Sequence, residues 1–327
     1  MLLKGQNILI TGGAGFIGSN LAHECSTLGA NITVFDTLKK ELNANLANLE
    51  EVRDTINIVE GDTRNFDDIK EVVKDKDIIF NCAGHTSHSN SMKFPWLDLE
   101  INCRGNLNFL ESVRKFNDAA RIIFLGSSTQ IGKMVFPIID ENHPECPLDI
   151  YSANKMVAEK YHLIYNKVYG LKITSIRCAN IYGPRAAIHS NDYGFINYFI
   201  GLALKNKNIT IYGNGEQKRM VLYIKDLTDA IIRASMKNKS IGEVIFAVGE
   251  DSYNINEIAN AVVRIIGGKI SHIDWPEERK KIEIGDVKIS NKKIKKLLGL
   301  RPKYNLENGL LETKEYYLTR LSKYLRK

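Results

Sequence analysis

Thr11-Gly12-Gly13-Ala14-Gly15-Phe16-Ile17-Gly18 is the stretch that decides the fold. Its glycines at 12, 15 and 18 form the pattern G-x-x-G-x-x-G. A short apolar run, Asn7–Ile10, precedes it, and a helical pattern, Phe16–Leu28, follows. In a strand–turn–helix setting each glycine has a physical task. Gly12 permits the tight turn, Gly15 lets the backbone approach a pyrophosphate, and Gly18 lets the helix pack on the strand. The helix N-terminus, at Phe16 and Ile17, offers N–H groups to phosphates. The stretch therefore reads as a dinucleotide cradle rather than a plain tight turn.

Around this octet, strand-like and helical patterns alternate as far as Asn180. The strand-like runs are Asn7–Thr11, Asn31–Asp36, Ile56–Gly61, Asp77–Ala83, Arg121–Ser127 and Lys172–Asn180. Runs such as IIFNCA and RIIFLG are almost continuously hydrophobic, as in parallel sheets covered on both faces. The expected fold is α/β: a doubly wound parallel-sheet (Rossmann) domain with a smaller mixed α/β substrate lobe. After Asn180 the rhythm changes. Phe195–Leu204 reads as a helix, and Ile209–Tyr212 and Met220–Ile224 as short strands around Gly213-Asn214-Gly215. Asp226–Met236, Ile255–Ile266 and Leu306–Tyr324 read as helices, and Glu243–Val248 as a strand returning to the main sheet. The expected division is a cofactor domain of 1–180 plus about 220–250, and a lobe of about 181–219 and 251–327.

Composition narrows the class. The 327 residues are 44% hydrophobic and 25% charged, as in ordinary globular proteins. There is no run of eighteen apolar residues and no leader-like N-terminus, so a cytoplasmic protein with no membrane span is expected. The net charge of +7 owes much to lysines in the C-terminal region, read as solvated helix faces rather than a nucleic-acid surface. The five cysteines show no metal-finger or redox spacing. Cys82 and Cys178 fall in apolar strand patterns, where a thiol fills core, and a reducing cytosol fits.

Asp36 ends the second strand pattern, 24 residues after Gly12. An acid there accepts hydrogen bonds from ribose hydroxyls and repels a 2′-phosphate, which favours NAD over NADP. Asp62, after the third strand, is either an adenine contact or a cap for a helix over Phe66–Val73. Tyr151 and Lys155 are four apart and share a helix face. A lysine ammonium stabilises a phenolate and makes tyrosine a usable acid/base near neutrality. The preceding strand runs into Gly126-Ser127-Ser128-Thr129, and strand C-terminal ends face the ligand crevice in open α/β sheets. Hydroxyls and the Tyr/Lys pair are thus both aimed at the nicotinamide.

Thr11–Gly18, Asp36, Asp62, Asn81-Cys82-Ala83-Gly84, Ser127, Tyr151/Lys155 and Asn180-Ile181-Tyr182-Gly183-Pro184-Arg185 occur in the order seen in extended short-chain dehydrogenase/reductases. More narrowly, the chain resembles the NAD-dependent nucleotide-sugar epimerase/dehydratase family over nearly its whole length. Ile211–Arg219 and Val221–Asp226 resemble that family's substrate-lobe signature. The resemblance implies that Ser127 holds the reacting oxygen, Tyr151 is the acid/base, and Lys155 tunes Tyr151 and holds the nicotinamide ribose. It implies cofactor contacts from Gly12, Gly15, Phe16, Ile17, Gly18, Asp36, Asp62, Ala83, Tyr151 and Lys155. It implies substrate contacts from Ser128, and from Asn180 and Arg219 to a nucleotide diphosphate, which the arginine fork suits. It also implies a homodimer pairing the helical patterns Leu97–Phe116 and Tyr151–Tyr169.

Two departures matter. Dehydratases of the family carry Asp-Glu after the catalytic Ser/Thr; this chain has Ser128-Thr129, with no carboxyl to move protons during loss of water. The loop Gly84-His85-Thr86-Ser87-His88-Ser89-Asn90-Ser91 replaces the family's usual residues beside the sugar. Its two histidines have no third metal ligand, so no metal is expected, and they read as polar residues lining a sugar pocket or capping the next helix. The expected activity is epimerisation of a nucleotide-diphosphate sugar at C4 through a 4-keto intermediate. The alternatives are a 4-ketoreductase, less readily a 4,6-dehydratase, and a non-enzymatic cofactor sensor, against which Ser127, Tyr151 and Lys155 all stand.

Overall fold

Four consecutive buried residues, Ile8–Thr11, place the first strand inside the molecule, where an almost wholly apolar run has to go. The computed structural model describes residues 2–325. That strand, β1 (Asn7–Thr11), is followed by α1 (Phe16–Thr27), β2 (Asn31–Asp36), β3 (Ile56–Glu60), α2 (Phe66–Val72), β4 (Ile78–Asn81), α3 (His88–Lys93) and α4 (Pro95–Leu99). Then come α5 (Gly105–Phe116), β5 (Arg121–Ser127), α6 (Ile150–Tyr169), β6 (Lys172–Cys178), β7 (Ile181–Tyr182), α7 (Phe195–Leu204), β8 (Asn208–Tyr212), β9 (Lys218–Met220) and β10 (Leu222–Tyr223). The chain continues through α8 (Ile224–Met236), β11 (Val244–Ala247), β12 (Ser252–Asn254), α9 (Ile255–Ile265), β13 (Lys269–Ile273), α10 (Glu277–Lys281), α11 (Lys292–Leu298) and α12 (Leu306–Leu318).

One seven-stranded sheet has the order β11-β6-β5-β4-β1-β2-β3. β1 pairs in parallel with both β2 and β4, while β2 pairs with β3 and β4 with β5. This is the doubly wound Rossmann-type α/β fold, and the strand order reverses beside β1, where such sheets bind their ligands. Leu9, Phe35, Ile79 and Ile122 from the strands pack with Ile69, Phe109 and Val113 from helices.

The pattern Leu97–Phe116 is helical throughout, α4 running through a π-helical turn at Glu100–Arg104 into α5. Two sequence expectations are corrected. The strand expected over Met220–Ile224 is split: β9 ends at Met220 and Ile224 already begins α8. Cys82 and Cys178 are half-buried near strand ends instead of filling core, whereas Cys25 and Cys103 are buried. β13 was not foreseen; it pairs in parallel with β8.

The chain forms two compact units. One contains the chain through Ser127, Asp149–Arg177 and Thr228–Ile245; the other contains Ser128–Leu148, Cys178–Leu227 and the chain from Phe246. Ser128–Leu148, read from sequence with the first, groups with the second because Ile131 and Ile139 pack with Ala179, Met220, Phe246 and Ile289.

In the first unit a buried histidine supports the sheet. His162 hydrogen-bonds the Ala158 carbonyl through Nδ1 (2.8 Å), meets the Asn81 amide through Nε2 (3.2 Å) and stacks on Phe124 at 4.0 Å. Burial, helped by the Lys155 charge, pushes its imidazole down to about 3. The unfolded chain takes up a proton there near pH 6.5, so the stabilisation is full above that pH and is lost as pH falls toward 3, by up to about 1.4 kcal/mol per pH unit. Unfolding by urea should show a smaller decline between pH 7 and pH 5 in His162→Gln than in the wild type.

Candidate active site

The glycine turn leaves no room for side chains at two of its three glycines. Gly12 has φ +65°, and a Cβ there would lie 2.9 Å from the backbone of Ala83 and Cys82. A Cβ on Gly18 would collide with the Gly12 carbonyl oxygen. Gly15 is the N-cap of α1 and brings no capping side chain to the first-turn N–H groups of Phe16 and Ile17. Asp36 is buried; its carboxylate accepts the N–H of Ala14 (3.0 Å) and of Leu38 (2.9 Å). Burial pushes its carboxyl up, against the pull of these backbone donors. Each oxygen retains acceptor capacity for a ribose hydroxyl.

Asp62 is engaged by Arg64, whose Nε lies 3.0 Å from both carboxylate oxygens. Burial opposes the charge, but the guanidinium and the Arg64 N–H outweigh it and hold the carboxyl below its usual range. Asp62 does not cap the following helix. Asn65 does, accepting the Asp67 N–H.

Above Gly12 the segment 81–85 is fixed by polar bonds. Thr11 Oγ1 donates to Asn81 Oδ1 (2.8 Å) and accepts the Ala83 N–H (3.1 Å). Asn102, in the π turn, accepts the His85 N–H (3.1 Å) and donates to the His85 carbonyl (2.9 Å) and to Asp98 (3.0 Å). Fully buried Asp98 also accepts from Asn154 (2.8 Å) and pairs with His85 Nδ1 (2.7 Å). Asn106 bonds Asn81 (2.9 Å). Sequence reasoning missed this network, although Asp98, Asn102 and Asn106 recur every four residues inside a helical pattern.

Ser127 ends β5, and Tyr151 and Lys155 lie on α6, which packs against β5. All three are buried. The Lys155 ammonium donates to the Leu125 carbonyl (2.5 Å) and sits 4.4 Å from the centroid of the Phe124 ring. It also lies beside Gly84, where a Cβ would come within 3.9 Å of Nζ. The lysine thus bonds the strand carrying Ser127 and lies near the loop after β4. Ser128 opens a 3₁₀ turn, Ser128–Ile131, directly after the strand. His85 and His88 turn to different carboxylates, Asp98 and Asp149. Among the described residues no group of three or more His, Cys, Asp or Glu is placed to hold a metal ion.

In the second unit, Asn180 has φ +45° and its amide donates to the Met220 carbonyl (2.9 Å), which sets it beside the strand bearing Arg219. The Arg219 guanidinium pairs with Glu283 (2.8 Å) and donates to the carbonyls of Lys218 and Gly285. Glu283 is a partner that sequence reading missed; it lies 64 positions away with no motif around it.

The profile of the NAD-dependent epimerase/dehydratase family matches residues 8–255. The chain belongs to that family. A protein of Methanocaldococcus jannaschii, provisionally named UDP-glucose 4-epimerase, is 31% identical over 93% of this chain and 95% of its own. The UDP-glucose 4-epimerase of Thermotoga maritima, solved with UDP-glucose, has a TM-score of 0.88 at 26% identity, covering 97% of this chain and 100% of its own. The dTDP-glucose 4,6-dehydratase of Bacillus anthracis, solved with NAD, has a TM-score of 0.84 at 27% identity, covering 98% of both chains. For this epimerase/dehydratase family member NAD is the cofactor. No helix among the described residues is long and apolar enough to cross a membrane.

Gly12→Ala should weaken NAD binding at least tenfold and destabilise the fold, because its Cβ meets backbone on the facing loop at a left-handed φ. Titration calorimetry with NAD, beside circular dichroism, measures both.

Proposed function

We propose that this chain is an NAD-dependent epimerase of a nucleotide-diphosphate sugar that inverts C4 through a transient 4-keto sugar. The observation that supports this reading is that Ser127 ends β5 and Tyr151 and Lys155 lie on α6, the helix packed against it, with Ser128 and Thr129 where a dehydratase needs two carboxyl groups. Bound NAD supplies the acceptor, and later the donor, of the C4 hydride. Tyr151 takes the proton of the C4 hydroxyl and returns it when the ketone is reduced on its other face. Lys155 keeps the phenolate accessible through its positive charge. Ser127 holds the reacting oxygen by a hydrogen bond. Gly12, Gly15, Phe16, Ile17 and Gly18 cradle the pyrophosphate, with Ala83 beside them. Asp36 holds the adenosine ribose, and Asp62 meets the adenine with Arg64 already bound to it. Asn180 and Arg219 hold the sugar's diphosphate, for which Arg219 must exchange Glu283 for phosphate. Ser128 lies on the sugar side.

The same reading includes a homodimer. Phe116 on α5 and Ile164, Val168 and Tyr169 on α6 are 43–63% exposed, apolar area that pairing of these helices would cover. Light scattering at micromolar concentration should give twice the chain mass.

The test is a panel of UDP-, GDP-, CDP- and dTDP-sugars. One C4 pair should interconvert with no net change in cofactor. Net oxidation of reduced cofactor would instead make the enzyme a ketoreductase, and loss of water a dehydratase. NAD should bind more tightly than NADP, by calorimetry, since Asp36 repels a 2′-phosphate. Tyr151→Phe should retain NAD binding and lose about 10²–10⁴-fold in turnover. Lys155→Met should move the pH optimum upward. Arg219→Ala should act chiefly on KM, because it removes a contact remote from the reacting carbon.

A further inference from the structure

His88 is not absorbed by the activity described, yet it touches its central residue. Its ring meets that of Tyr151 edge to face, with centroids 4.9 Å apart and an interplanar angle of 83°. Its Nδ1 is 2.8 Å from Asp149 Oδ2. A carboxylate can only accept, so Nδ1 carries the proton and the ring plane is set by Asp149. Asp149 is itself immobilised: it is the N-cap of α6, accepting the Ser152 N–H (2.9 Å) and the Ser152 hydroxyl (3.0 Å). One turn along α3, Ser91 Oγ accepts the Tyr151 N–H (3.0 Å) and donates to the His88 carbonyl (2.7 Å). α3 therefore grips Tyr151 twice, by its backbone through Ser91 and by its ring through His88.

We propose that His88, locked by Asp149, is a positioning residue that fixes the orientation of the Tyr151 ring for proton transfer; this rests on Tyr151 being the acid/base. A phenol free to turn about its two side-chain bonds spends most of its time with the oxygen misplaced, and about 1 Å of misplacement costs up to about 10²-fold in rate. The edge-to-face contact has a preferred geometry, so a fixed imidazole imposes a fixed phenol. The two histidines of this loop thus divide their work, His85 bonding Asp98 beneath the loop and His88 bracing Tyr151.

The experiment compares wild type, His88→Ala, His88→Phe and His88→Asn on the sugar nucleotide that the panel identifies. His88→Ala should lower kcat roughly 10–100-fold with little change in KM or in NAD affinity. His88→Phe restores a ring edge without the bond to Asp149 and should recover part of that loss. His88→Asn keeps the bond to Asp149 without a ring and should not. Recovery by Asn but not Phe would reduce His88 to a support for Asp149 and overturn the proposal, as would wild-type kcat in His88→Ala. Should the alanine variant fail to fold, the Phe and Asn pair still decides. A wild type that converts no sugar nucleotide brings down the assigned activity and this inference together; an active wild type with unaffected His88 variants removes only the latter.

Discussion

The molecule depends on one close approach, that of Gly12 to the backbone of Cys82 and Ala83 across the gap between β1 and β4. Two chain segments at that distance leave no room for a side chain, and the gap is held by the hydroxyl of Thr11, bonded to Asn81 on one side and to the Ala83 N–H on the other. β1 and β4 are neighbours in the sheet at the point where strand order reverses, so their C-terminal ends necessarily open into the ligand crevice. Two charged side chains of the first unit lie close to this gap. Asp36 reaches it through Ala14, and Lys155 reaches it through Gly84.

Most of the fold was legible because its signals are local. The strands Asn7–Thr11, Asn31–Asp36 and Arg121–Ser127 stand where alternation and apolar runs put them, since a strand buried on both faces must be apolar along its length. The Tyr/Lys pair was legible for the same reason: four residues on a helix are neighbours wherever the helix lies. Glu283 beside Arg219 and Asp149 beside His88 were not legible, because each pair joins segments more than sixty positions apart. No periodicity encodes such a meeting; tertiary packing decides it.

The grouping of Ser128–Leu148 has a physical cause of its own. Ser128–Leu148 follows β5 directly and contains few helix or strand signals, so sequence proximity placed it with the first unit. Its apolar side chains say otherwise, since Ile131 and Ile139 share a core with Met220, Phe246 and Ile289. A loop's allegiance is set by where its few large apolar residues find burial, and in a short irregular segment two such residues suffice.

The π turn at Glu100–Arg104 has a consequence for phase. Four residues of ordinary α-helix advance about 400°, overshooting a full circle by about 40° at each step. Side chains spaced by four, such as Asp98, Asn102 and Asn106, would then spiral away from one line. A turn closed by i→i+5 bonds is underwound and takes the overshoot back at the middle of the series. The three polar groups can therefore face the same strand ends and loop, two of them serving His85 and the third Asn81. The helix acts there as a vernier, trading regular winding for a straight file of donors and acceptors under the site. Removing one residue from that turn would rotate α5 by about 100° relative to α4 and break the file without touching a single catalytic atom.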